Sequence, residues 1–267
     1  MTWAWRWCAL WMGMVLVTLQ LGCTTQGGRM EGDSVWVTPS DEPEARRRAR
    51  IRLELAAGYF EQGQATVALD EVKQALNADP TFAAAYNLRG LIFMRLEEPR
   101  LAEDSFQQAL RLAPRDGDTW HNLGWFYCQA DRHTDAVQAF GRALQSPGYR
   151  SAARTWMVQG ICQARAGQRL EAEQSLIRSF ELDSGNPITV YNLALLLHQR
   201  GESERARFYL RRLNNSEFAN AESLWLGVKI ENRLQNREAA QQLATQLLRR
   251  FPDSREASAY ERGAFNE

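Results

Sequence analysis

From residue 49 onward, apolar and small side chains recur at helical spacing, in stretches broken by short polar turns. The pattern itself returns every 34 residues. Tyr59, Ala68, Ala75 and Pro80 reappear as Phe93, Ala102, Ala109 and Pro114, then as Tyr127, Ala136 and Ala143, with Pro147 one place early. Each period predicts two antiparallel helices and a short turn, closed by a proline that cannot continue a helix interior. Gly90 and Gly124 mark where the first helix meets the second, and Ala68, Ala102, Ala136, Ala172, Ala206 and Ala240 fall early in the second helix. Small side chains at both places let the two helices approach closely.

That period with those residue types is the signature of the tetratricopeptide (TPR) repeat. The predicted fold is all-α, a right-handed superhelical solenoid of about six TPR helix–turn–helix units. They start near Ala49, Ala83, Gly117, Ala153, Pro187 and Ala221, and together they occupy 49–267. The third unit is about two residues long because of the Ser146-Pro147-Gly148 turn. Later units match less well, as terminal units that cap a stack do.

On this pattern the first helices line the concave face at positions 2, 5, 9 and 12 of each unit. In the first three units Leu53, Phe60, Leu91, Met94 and Trp125 then form an apolar strip, with Asn87 and His121 as polar handles and Cys128 at its end. The core positions are separately filled by Leu55, Tyr59, Tyr86, Phe93, Trp120 and Tyr127, which marks the strip as a groove for an apolar or extended protein segment. The Lys, Arg and Asn set with which chaperone-type repeats grip a terminal carboxylate is mostly missing.

Residues 1–22 read as a signal peptide: Arg6 near the start, then an apolar run over 7–21 that is short for a spanning helix. The run ends in Leu19-Gln20-Leu21-Gly22-Cys23, which resembles a bacterial lipobox, with Gln20 where an aliphatic residue is usual. Cys23 is the expected lipidation site. Thr24 follows it rather than Asp, which in such lipoproteins implies sorting to the outer membrane. Residues 23–48, with Gly27, Gly28, Gly32, Pro39 and Pro43, read as a flexible tether. The basic cluster Arg46-Arg47-Arg48 at its end reads as the solvated start of the first helix.

Composition narrows the function further. The net charge is zero and Lys73 and Lys229 are the two lysines, so no basic face for nucleic acid stands out. The three histidines, His121, His133 and His198, lie in different units. No metal-ligand spacing, nucleophile motif or phosphate-binding glycine loop occurs. The expectation is a protein that is not an enzyme, takes no cofactor or small-molecule substrate, and works by holding other proteins. Cys128 and Cys162 are 34 residues apart at nearly equivalent points of neighbouring helices. In an oxidising compartment they are either a disulfide or two buried small hydrophobes.

The last unit, from Ser223-Leu224-Trp225-Leu226-Gly227 to Arg249-Arg250-Phe251-Pro252, together with Ala85-Tyr86-Asn87-Leu88-Arg89-Gly90 and Thr119-Trp120-His121-Asn122-Leu123-Gly124, resembles the type IV pilus biogenesis/stability lipoproteins, the PilF/PilW family of pilotins. The resemblance implies a lipid-anchored, periplasm-facing outer-membrane scaffold whose partner is the secretin subunit, promoting its localisation and multimerisation. A TPR lipoprotein serving another envelope machine, such as cell-wall synthesis or outer-membrane protein assembly, is the alternative.

Overall fold

The structure of the protein, a computed structural model, describes residues 42–265. The signal peptide, Cys23 and most of the expected tether lie outside the described residues. Among the described residues there are thirteen α-helices and no strand. Six helix pairs run in order: α1 (Glu44–Glu61) with α2 (Ala65–Ala78), α3 (Ala83–Arg95) with α4 (Pro99–Leu112), α5 (Gly117–Gln129) with α6 (His133–Leu144), α7 (Ala152–Arg165) with α8 (Arg169–Leu182), α9 (Pro187–Gln199) with α10 (Ser203–Asn214), and α11 (Ala221–Arg233) with α12 (Arg237–Arg250). A short α13 (Arg255–Glu261) follows. The chain is an all-α TPR solenoid, and helices two apart in sequence also touch, as α3 does α5.

The predicted starts of units two to six fall within a residue of the observed helices, but the first helix begins earlier, at Glu44. Residues 44–48 are therefore helix and not tether. Pro43 precedes the first turn, Glu44 sits at its positive end, and Arg47 and Arg48 pair with Glu44. Arg46 pairs with Asp79 and stacks 4.7 Å over the Phe82 ring, fastening α1 to the loop that leads into α3. Arg46 is thus held within the fold, whereas Arg47 and Arg48 stay mostly exposed on the solvated first turn.

Within each pair the packing is a size match at fixed offset. A Cβ added to Gly90 would lie 2.5 Å from the Phe106 ring, and one on Gly124 would lie 2.7 Å from Phe140. The same sixteen-residue offset sets Gly160 against Leu176, and pairs Ala56 with Val72 in the first cluster. Where the first helix gives up its side chain, the second fills the space with a large one, a ring at Phe106 and Phe140 and an isobutyl group at Leu176. Leu55 departs from its expected core place and is 45% exposed, because no described helix precedes α1 to cover it; the buried residue at that point is Ala56. Tyr59, Tyr86, Phe93 and Trp120 are half-buried, and Tyr127 is buried.

The turn between the paired helices has one conformation throughout. Gly63, Glu97, Asp131, Gly167, Gly201 and Gln235 occupy the same repeat position, and all have positive φ, between 56° and 85°. Glycine adopts this freely, whereas the three other side chains are held there against a local cost.

Ionic ties join successive units at three junctions, at the residue after the small alanine of the second helix. Glu103 accepts from Arg132 of the next unit at 2.9 Å, and Glu173 accepts from Arg200 of the next unit and from Arg205 at 2.6 Å. At the last junction the signs are reversed, with Arg207 facing Glu231 at 3.9 Å. The two-residue insertion after α6 is stitched back by Tyr149. Its ring packs on Gly117, and its hydroxyl meets Thr155 Oγ1 at 2.6 Å.

Candidate protein-binding face

The residues expected to line the groove take three different places. Leu53 and Phe60 are half-buried on the first core cluster, and Leu91, Met94 and Trp125 are half-buried on the second. Each rests its base on core and leaves part of its surface open, the arrangement an apolar docking strip requires. Arg95 lies 5.7 Å over the Phe60 ring and adds a cation beside the strip. Asn87 is half-buried, and its Oδ1 accepts from Asn122 Nδ2 at 3.0 Å, so one side of its amide already links two units.

His121 is not an exposed handle. It is 4% exposed, its Nδ1 lies 2.8 Å from Thr155 Oγ1, and its ring packs 5.9 Å from Phe140. Burial, with Arg154 nearby, lowers its pKa to about 4, so it is neutral at physiological pH. Phe140 of α6 and Thr155 of α7 close over a position that stays more open in the preceding units, and Tyr149 of the insertion bonds Thr155. Cys128 is likewise buried, and it is joined to Cys162 across α5 and α7, with Cα atoms 5.8 Å apart.

A second part of the same face lies at the other end of the solenoid. A cavity of about 510 Å³ opens among α9, α11 and α13, lined by Tyr191, Leu195, Glu222, Trp225, Lys229 and Arg255. Tyr191 and Leu195 hold positions 5 and 9 of the fifth unit, and Glu222, Trp225 and Lys229 hold positions 2, 5 and 9 of the sixth. The positional rule that picks out Leu53 and Leu91 finds them equally once it is carried through all six units. Trp225 forms the wall, packed against Tyr260 and Phe265 beyond it. Lys229 sits 5.6 Å from the Trp225 ring, and burial lowers its pKa. The site is an apolar floor with mixed charge at its rim. Its geometry suits an extended protein segment: it offers surface and hydrogen-bonding ends along a row of helices.

Comparison with known proteins agrees with the repeat reading and extends it. The tetratricopeptide-repeat family profile matches residues 53–117 and 89–153. The type IV pilus assembly protein PilF of Pseudomonas aeruginosa is 26% identical over 241 residues, covering 90% of this chain and 92% of PilF. A solved structure of P. aeruginosa PilF superposes with a TM-score of 0.73 at 25% identity, covering 83% of this chain and all of that one. The crystal structure of PilW, described as a widely conserved type IV pilus biogenesis factor, superposes with a TM-score of 0.71 at 30% identity, over 79% of this chain and 97% of PilW. With its repeats in register from end to end and PilW matched over nearly its whole length, the chain belongs to the PilF/PilW family of TPR proteins of type IV pilus biogenesis.

Proposed function

We propose that this protein is a pilotin: a lipid-anchored, non-catalytic TPR scaffold that brings the secretin subunit to the outer membrane and promotes its multimerisation. The observation that carries this reading is the likeness to PilF and PilW along almost the full chain, set beside a segment ending in Cys23 that resembles a lipobox. In the proposed mechanism Cys23 receives acyl chains that hold the protein at the membrane surface. A secretin segment lies along the first helices, over Leu53, Phe60, Leu91, Met94 and Trp125. The partner then travels with the anchor, and ring assembly is confined to the membrane where the anchor resides.

The test is a deletion strain complemented with wild type, Cys23→Ser or Leu91→Asp. Secretin multimers in the outer-membrane fraction, pili on the surface and the level of the scaffold itself are measured together. Wild type restores multimers in the outer membrane. Cys23→Ser leaves them mislocalised, and Leu91→Asp loses secretin from a crosslinked pull-down while keeping its own membrane position. Normal outer-membrane multimers and pili in the uncomplemented deletion strain would overturn the proposal. Recovery of a different envelope complex in the pull-down would assign the scaffold to that machine instead.

A further inference from the structure

The bridged cysteines have a third neighbour. His133, the first residue of α6, places Nδ1 3.6 Å from Cys162 Sγ. Cys128 Sγ, Cys162 Sγ and a ring nitrogen of His133 all lie within 4.8 Å of one another. We propose that Cys128, Cys162 and His133 form a redox-gated site for a thiophilic divalent cation, open when the cysteines are thiols and closed when they are joined.

The donor set fixes the class of ion. Two thiolates and an imidazole suit zinc and its softer relatives, and they discriminate against magnesium and calcium, which take oxygen ligands. Metal–sulfur and metal–nitrogen bonds of about 2.3 and 2.0–2.1 Å put the donors of one tetrahedral ion roughly 3.3–3.8 Å apart. The His133–Cys162 separation is already in that range. The two sulfurs reach it once their bond is broken and either cysteine rotates about χ1, with the Cα atoms left at 5.8 Å. On the other face of the histidine, Nε2 lies 3.8 Å from a carboxylate oxygen of the exposed Asp131 side chain, which a small rotation brings into hydrogen-bond reach. A carboxylate on the far nitrogen is the usual partner of a metal-bound histidine and presents the opposite nitrogen as the donor. Asp131 is one of the three non-glycine residues held at positive φ, which fixes the turn joining Cys128 to His133.

Burial makes the gate slow. Cys128 is 1% and Cys162 0% exposed, so an external dithiol reaches either sulfur only when the α5–α7 contact opens locally. The His133 side chain is 24% exposed and offers a hydrated ion a way in, with a water left on the fourth position. The chemistry balances in both directions. Reduction by an external dithiol returns two thiols as that dithiol becomes a disulfide, and binding the cation then releases two protons. Oxidation of the two metal-bound thiolates passes two electrons to an external disulfide, forms the Cys128–Cys162 bond and expels the ion.

The experiment uses the full chain in detergent, reduced with a phosphine under anaerobic conditions and titrated with cobalt(II), then displaced with zinc(II). The reduced chain is expected to show sulfur-to-cobalt charge-transfer absorption that saturates at one ion per chain, and the oxidised chain none. A Cys128→Ser/Cys162→Ser variant, which keeps Cys8 and Cys23, is expected to show none either. His133→Ala is expected to weaken binding by tenfold or more and Asp131→Asn by about tenfold, with helical content unchanged by circular dichroism. No absorption in the reduced wild type, or equal affinity in wild type and His133→Ala, overturns the site. So does absorption that persists in the double serine variant.

Discussion

The size match at Gly90 gives the most exacting test of how the repeats pack. Alanine there would place its Cβ 2.5 Å from one Phe106 ring atom and 2.7 Å from two more. Carbon atoms prefer about 3.5–4.0 Å, so the overlap is near 1 Å on three atoms at once. Phe106 is fully buried and has no open direction in which to retreat. Overpacking of this kind costs about 1–3 kcal/mol, and three contacts on an enclosed ring put it at the upper end. Against it stands a gain of about 1 kcal/mol, because alanine is the better helix former. Gly90→Ala should therefore destabilise by about 2 kcal/mol. Gly58, inside α1, has nothing within 4 Å of an added Cβ, so Gly58→Ala should stabilise by about 1 kcal/mol. The decisive arm is the background. With Phe106→Val the site takes the Ala56–Val72 form of the first repeat, and Gly90→Ala should change sign and stabilise. The assay is urea denaturation followed by circular dichroism, comparing midpoints at constant slope. If Gly90→Ala raises the midpoint as Gly58→Ala does, or shifts it equally in both backgrounds, the size match is not what spaces the helices.

Four further outcomes follow from the fold. Unfolded His121 takes up a proton below its ordinary 6.5, whereas the folded form does so only near 4. Its contribution is therefore whole above pH 6.5 and is lost as pH falls toward 4, by up to about 3 kcal/mol; His121→Gln should flatten the melting temperature between pH 7 and 4.5. Replacing both Cys128 and Cys162 by serine removes a bridge closing a 34-residue loop, and should cost about 4 kcal/mol in a denaturant titration. Glu173→Gln removes one of the two carboxylates that Arg200 and Arg205 share, the other being Glu202, and should cost about 1 kcal/mol at low salt, with the difference shrinking at 1 M salt. Glu97→Gly relieves a left-handed residue and should raise stability by about 1 kcal/mol, read as a shift in melting temperature.

The repeat architecture was legible because its packing rules are local. Gly90 and Phe106, or Gly124 and Phe140, meet at a constant offset, so one period contains the information for a whole unit. What escaped sequence reading depends on neighbours that the period does not describe. His121 is buried against Phe140 of α6 and Thr155 of α7, and Thr155 is held by Tyr149 of the insertion, which no other unit has. Leu55 is exposed because α1 begins the described stack. The helical start at Glu44 depends on Asp79 and Phe82, more than thirty residues away, which anchor Arg46. The cavity around Trp225 was readable from positions 5 and 9 of the last two units, whereas the seven residues of α13 that close it are too few to leave a periodic signal.

Near-identical units carry a hazard that one-off folds avoid: during folding, a helix pair can settle on the wrong neighbour. The junction ties supply an order. At the residue after the small alanine, successive units present Leu69, Glu103, Val137, Glu173 and Arg207, which are apolar, acidic, apolar, acidic and basic in turn. A sixth unit docked on the fourth would bring Glu231, which holds the repeat position of Leu197, toward Glu173 and strand like charges at a half-buried seam, where such repulsion is felt most. The three charged junctions thus act as addresses written into an otherwise repetitive chain. Recombining its units would have to respect those addresses as well as the 34-residue period.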